Sequence, residues 1–230
     1  MLNQTLARVL LGVGVLAGAA SSAYADTIPD VRITEFMYKN ENSPGEFIQF
    51  TNLGTTAVDM TGWSEDAGTK VGVHSLSSFG VLQPGQSAIL AQATQSAFDS
   101  AWNLASTVPY AIENSSDNLG NGDTITLFNA SGAVIDNLVY GTSPRSDGVA
   151  VVPGSAGAVG TNDYTGWVLL SAGQDGAFRA NGSGDIGSPG FSSFAPSPVP
   201  LPAAAWLLVS GLGVLTPALR RRKAAQTQLA

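Results

Sequence analysis

The chain has 230 residues, no Cys, one His, and 10 Lys+Arg against 17 Asp+Glu, for a formal net charge of −7. That length allows one large all-β domain or two small ones. The absence of Cys excludes a disulfide scaffold, thiol catalysis and thiolate metal sites, and a single His excludes a multi-His cluster. All 17 acidic side chains lie between positions 26 and 198, which hold only five of the basic ones. So acidic a body is a poor match for phosphate backbones, and nucleic acid is not an expected partner.

In chain order, the first element reads as a signal peptide over residues 1–25. Arg8 supplies the positive start, Val9 to Ala20 is an apolar run, and Ala23-Tyr24-Ala25 has the small-x-small form that signal peptidase accepts. Cleavage after Ala25 would make Asp26 the first residue of the mature chain. The apolar run is too short for the ~20 residues that span a bilayer.

Residues 26–190 follow as one domain. Segments rich in β-branched and aromatic residues alternate there with clusters of Gly, Pro, Asn, Asp and Ser. Strands are expected at Val31 to Tyr38, Glu46 to Asn52, Ala57 to Ser64, Lys70 to Ser77, Gln86 to Gln92, Asp123 to Asn129, Ala133 to Tyr140 and Trp167 to Leu170. Their spacing implies a sandwich or barrel, and Asn129-Ala130-Ser131-Gly132 predicts a hairpin turn. Between them, Thr94 to Ala105 places Phe98 and Trp102 four residues apart behind a capping Thr94. That spacing predicts a short amphipathic helix covering one open end of the sandwich, with an exposed sugar-stacking platform as the alternative use of the two rings. Trp63 and Trp167 are expected in the core.

Beyond residue 190 a Pro/Ser linker, 191–200, leads into Val199-Pro200-Leu201-Pro202-Ala203. An apolar segment from Leu201 to Leu219 comes next, then Arg220, Arg221, Arg222 and Lys223, and last a tail, 224–230. The clustered prolines impose an extended chain. At about 1.5 Å per residue the apolar helix nearly matches a ~30 Å hydrocarbon core, and the basic cluster would stay cytoplasmic. Both ends thus predict export of the acidic body. This order of Val-Pro-Leu-Pro-Ala, membrane helix and basic stop, over residues 199–223, resembles the PEP-CTERM sorting signal in its VPLPA form. The resemblance implies handling by an exosortase-type transpeptidase, a transient stay in the inner membrane, and delivery to the surface or matrix of a Gram-negative bacterium. Exopolysaccharide or other surface components would be its neighbours.

A second resemblance lies in the middle of the chain. Ile33-Thr34-Glu35-Phe36-Met37, Gly45 to Asn52, Val58-Asp59-Met60-Thr61-Gly62-Trp63, Leu82-Gln83-Pro84-Gly85 and Gly122-Asp123 to Tyr140 look, in order and spacing, like a lamin-tail domain, from about Val31 to Gly190. The resemblance implies an immunoglobulin-like β-sandwich, so the expected class is all-β with one short helix. Gln49 stands where the family usually has a second acidic residue, and Gly141 to Asp185 is a long Gly-rich stretch.

Chemistry is sparse. Strand parity places Glu35 with Ile33 and Met37, and Glu46 with Ile48 and Phe50, on inward faces. Two such carboxylates read either as an acid/base pair or metal site, or as glutamates tying neighbouring turns, and no nucleophile accompanies them. The reading is of no catalytic residues, with Glu35 and Glu46 the candidate polar site. His74 stands without an ordered Ser and Asp around it. In the run Asp117 to Asp123, Leu119 occupies a ligand position and no twelfth-position Glu follows, as a calcium loop would need. Asp175, Asn181 and Asp185 could hold Ca²⁺ loosely. No metal or other cofactor is expected. The expected function is that of a non-enzymatic exported binding or matrix protein. Its alternatives are an extracellular hydrolase or accessory module using Glu35 and Glu46, or a calcium-dependent adhesive module.

Overall fold

The first two strands face each other through a break in register. β1 (Val31–Met37) pairs antiparallel with β2 (Phe47–Asn52), and the register shifts between Ile33 and Glu35, which makes Thr34 a bulge. A computed structural model of the chain describes residues 30–39, 44–113 and 119–196. The expected signal peptide with Ala23, Ala25 and Asp26, the residues Val199 to Ala203 read as a sorting motif, the apolar segment after them expected as a membrane helix, the cluster Arg220 to Lys223, and Asp117 and Asn118 of the loop weighed for calcium lie outside the described residues. Among the described residues no helix is long and apolar enough to cross a membrane.

Onward along the chain come β3 (Val58–Asp59), β4 (Ser64–Asp66), β5 (His74–Ser75), β6 (Val81–Leu82) and β7 (Ser87–Ala91), then α1 (Gln95–Trp102) and β8 (Tyr110–Ile112). After them come β9 (Asp123–Phe128), β10 (Val134–Tyr140), β11 (Val151–Pro153), β12 (Trp167–Leu169), β13 (Phe178–Arg179) and β14 (Ile186–Gly187). A six-stranded sheet in the order β12-β11-β1-β2-β7-β8 stacks on a four-stranded sheet in the order β10-β9-β4-β5, with two small ribbons, β3-β6 and β13-β14. The result is the expected all-β, immunoglobulin-like sandwich with a single short α-helix.

Alternation of side chains builds two cores from one sheet. Between the sheets lie Val31, Ile33, Phe36, Ile48, Phe50, Ile125, Leu127 and Leu138, with both Trp63 and Trp167 among them as expected. The opposite face of the six-stranded sheet presents Met37, Phe47, Ile89 and Val152 to α1 and to the chain that follows β12. Every residue of β2 and β7 is therefore buried. In the four-stranded sheet β4 is buried along its length, whereas β10, at the sheet edge, exposes Val139 between buried Leu138 and Tyr140.

The helix is shorter than expected and sits elsewhere. It packs on the outer face of the six-stranded sheet instead of over an open end, because β7 and β8 pair in parallel and a parallel pair needs a crossover lying on a sheet face. Thr94 caps it through the Ala97 N–H at 3.4 Å, and Asn103, in the left-handed conformation, ends it. Phe98 and Trp102 are fully buried, with Phe47 edge-on to both at 5.4 and 5.8 Å. They are core residues, not an exposed platform.

Several strand expectations need correction. Ala57 to Ser64 is not one strand: Asp59 accepts from Thr61 N–H, Gly62 takes φ +78°, and the turn sends β3 and β4 into different sheets. Lys70 to Ser77 contracts to β5, with Gly72 at φ +86° opening a turn. β6, β8, β11, β13 and β14 are two or three residues each, too short for a periodicity to register. The hairpin at Asn129 forms as read: Asn129 Oδ1 accepts from Ser131 and Ala133 N–H, and Gly132 adopts φ +80°.

Candidate functional site

The bulge at Thr34 decides where the first candidate carboxylate goes. An extra residue in β1 reverses side-chain parity beyond it, so Ile33 and Phe36 face the inter-sheet core while Glu35 and Met37 face the opposite side. The expectation that Glu35 shares a face with Ile33 is therefore wrong. Glu35 is fully buried, and its carboxylate accepts from Ser188 N–H and Ser188 Oγ–H, both at 2.7 Å. Burial outweighs those hydrogen bonds and pushes its pKa up to about 7.

Around Glu35 runs a polar stripe on the same sheet face. Gln49 stands directly across from it; its side-chain amide accepts from Gly190 N–H at 2.7 Å and donates to the Phe191 carbonyl at 2.8 Å and to Thr34 Oγ1 at 3.2 Å. A carboxylate could make only the first of these bonds. Thr34, Thr51 and Ser87 continue the stripe through hydroxyl bonds of 2.7 and 2.8 Å. The stripe thus straps the segment from Ser188 to Phe191 onto the sheet. That segment runs on to Pro196, whose carbonyl lies so close to Gly85 that a Cβ there would meet it at 3.0 Å. Gly85 N–H in turn donates to Asn52, and Leu53 N–H to Asp30, so the first and last described residues sit at one end of the sandwich.

Glu46 occupies the other side. It shares its face with Ile48 and Phe50, as parity predicts. Its carboxylate accepts from Lys39 N–H at 2.9 Å, Leu119 N–H at 2.8 Å and the Gln92 amide at 3.3 Å. Burial raises its pKa, and the Leu119 and Lys39 hydrogen bonds partly oppose the rise. Glu35 and Glu46 are thus on opposite faces of the six-stranded sheet and do not converge. Each ties distant backbone together.

The residues of the loose calcium set differ in setting. Asp175 is exposed, the exposed Asn181 donates its amide to the Ser100 carbonyl at 3.2 Å, and Asp185 is buried.

A grouping that sequence reasoning missed lies where the sheets meet. Glu65 on β4 and His74 on β5 are cross-strand partners, and parity turns them inward beside Trp63 and Leu76. Glu113, placed just after β8 by its N–H bond to the Ala91 carbonyl, closes on them from the other sheet. His74 Nδ1 is 2.9 Å from Glu65 Oε2 and 4.0 Å from Glu113 Oε1, and all three residues are at most 5 % exposed. Two signals were available, a polar residue two positions after Trp63 and another two before Leu76. What was not available was the pairing of β4 with β5, and the existence of β8.

With this geometry in hand, comparison with known proteins gives one family. The Lamin Tail Domain family matches residues 25–142, and no curated protein or solved structure matches the chain. The match ends before β11, so the two strands completing that edge of the six-stranded sheet, and the strap over its outer face, lie beyond it. With half of its length covered, and with the expected sandwich formed by those residues, the chain belongs to the lamin tail domain family.

Proposed function

We propose that this chain is an exported, non-enzymatic surface or matrix protein, in which a lamin-tail sandwich serves as the binding or structural module and the C-terminus is processed by an exosortase-type transpeptidase. The observation that carries the reading is the three-part C-terminal order: Val199 to Ala203, the apolar segment to Leu219, and Arg220 to Lys223. The signal-peptide pattern ending at Ala25 assigns the same topology independently. On this reading signal peptidase removes residues 1–25 and the inner membrane holds the tail only transiently. The module then reaches the cell surface, with exopolysaccharide or other surface components as its neighbours.

The geometry supports a non-catalytic module. Glu35 and Glu46, the pair a hydrolase would need together, are separated by a sheet and engaged with backbone N–H groups. Both ends of the described body lie at one end of the sandwich, next to Gly85 and Asn52, which suits a body tethered from one side. The test is the intact mass of the protein recovered from its native cell surface. The expected mass lacks residues 1–25 and the segment after the Pro-rich motif, and carries any attached lipid or glycan as an increment. A full-length mass, with the protein inside the cell, would refute the proposal.

A further inference from the structure

Glu65, His74 and Glu113 bring two carboxylates and one imidazole together between the sheets, each at most 5 % exposed. A single proton on Nδ1 reaches Glu65 Oε2 at 2.9 Å, whereas Glu113 Oε1 at 4.0 Å is beyond a hydrogen bond. A metal ion in place of that proton would contact all three.

One ligand atom from each residue lies within 4.8 Å of the other two. Tetrahedral ligands about 2.0–2.2 Å from a common zinc ion lie about 3.3–3.6 Å apart, so side-chain adjustments of up to about 1.3 Å at the widest pair would bring the three atoms onto one ion. A nitrogen donor and only three side chains suit a d-block cation such as Zn²⁺, and are a poor match for Ca²⁺, which takes six to eight oxygens.

We propose that Glu65, His74 and Glu113 bind one divalent cation of the zinc type, which clamps the two sheets together where their edge strands meet. β5 ends the four-stranded sheet and β8 ends the six-stranded one. These three residues are the cluster's bridge between them. In a chain with no Cys, a metal clamp supplies the cross-link that a disulfide would give another exported domain.

The test uses the purified full-length chain in mild detergent, stripped with a chelator, and then titrated with ZnCl₂ or CaCl₂ while thermal unfolding is followed. Metal content is measured after equilibrium dialysis. The expected results are one zinc per chain and a Tm that rises with zinc concentration, as for a ligand that binds only the folded state. Co²⁺ should give visible d–d absorption of low-symmetry coordination. The Glu113→Gln variant keeps the Glu65–His74 contact and should fold, yet lose both the bound zinc and the Tm response. A wild-type Tm indifferent to zinc, an equal rise in Glu113→Gln, or a response to Ca²⁺ with none to Zn²⁺ would overturn the assignment. The wild-type arm decides the matter even if the variant does not fold. None of these outcomes depends on how the C-terminus is processed.

Discussion

Replacing Glu35 by Gln should make the protein more stable above neutral pH and leave it nearly unchanged in mild acid. In the folded chain burial holds the Glu35 pKa at about 7, against 4.5 for the group in water. The folded state therefore binds this proton more tightly than the unfolded state does. The stability it contributes is fully present below pH 4.5 and is lost as the pH rises through about 7. At about 1.4 kcal/mol per pH decade, that interval amounts to about 3 kcal/mol. Gln cannot ionise and has nearly the same shape: its carbonyl can accept from Ser188 N–H and its amide can donate to Ser188 Oγ, where Glu35 now makes two bonds of 2.7 Å. Urea unfolding of both proteins at pH 4.5, 6 and 8 gives the comparison. Glu46 and Asp136, whose pKa values burial also raises, titrate in both proteins and cancel in the difference. The difference in unfolding free energy should be near zero at pH 4.5 and approach about 3 kcal/mol in favour of Glu35→Gln at pH 8. A difference that does not change with pH, or a variant less stable than wild type at pH 8, would refute the assignment of a buried, weakly compensated carboxyl.

The remaining predictions concern the same sheet face. Trp102→Ala removes a fully buried ring that packs edge-on against Phe47 and Phe178, and should lower stability by about 3–5 kcal/mol in urea unfolding. A loss below 1 kcal/mol would show that α1 is not part of the core. Gln49→Glu substitutes an acceptor where an amide donates to Phe191 and Thr34, and sets a second carboxylate directly across from Glu35. It should destabilise by about 2–3 kcal/mol at pH 8 and by less at pH 5, where carboxyl groups protonate. The same loss at both pH values would mean that charge plays no part.

The sandwich was legible because its long strands announce themselves by alternation and its turns by composition. Phe47 to Asn52, the hairpin at Asn129 to Gly132 and the capped helix after Thr94 were each placed to within a few residues. Face assignment was less secure, since it counts residues and a single insertion reverses the count. The bulge at Thr34 did this to Glu35, while Glu46, just ahead of the unbroken β2, accepts from Leu119 of the inter-sheet core, on the side that parity assigned. The position of α1 on a sheet face also depended on a parallel β7–β8 pairing that no local pattern encodes.

By itself the sequence determined the acidic, cysteine-free body, the lamin-tail order of motifs and the apolar character of the two terminal segments, because composition and nearest-neighbour preferences are local properties of the chain. Only the tertiary structure decided which polar residues meet. Glu65 and His74 are nine positions apart, and Glu113 is a further 39 along the chain. They converge because β4 pairs with β5 and a crossover through α1 brings the end of β8 against them. Such a meeting is fixed by strand order and sheet stacking, which depend on burying two apolar faces at once and leave no mark on any one segment.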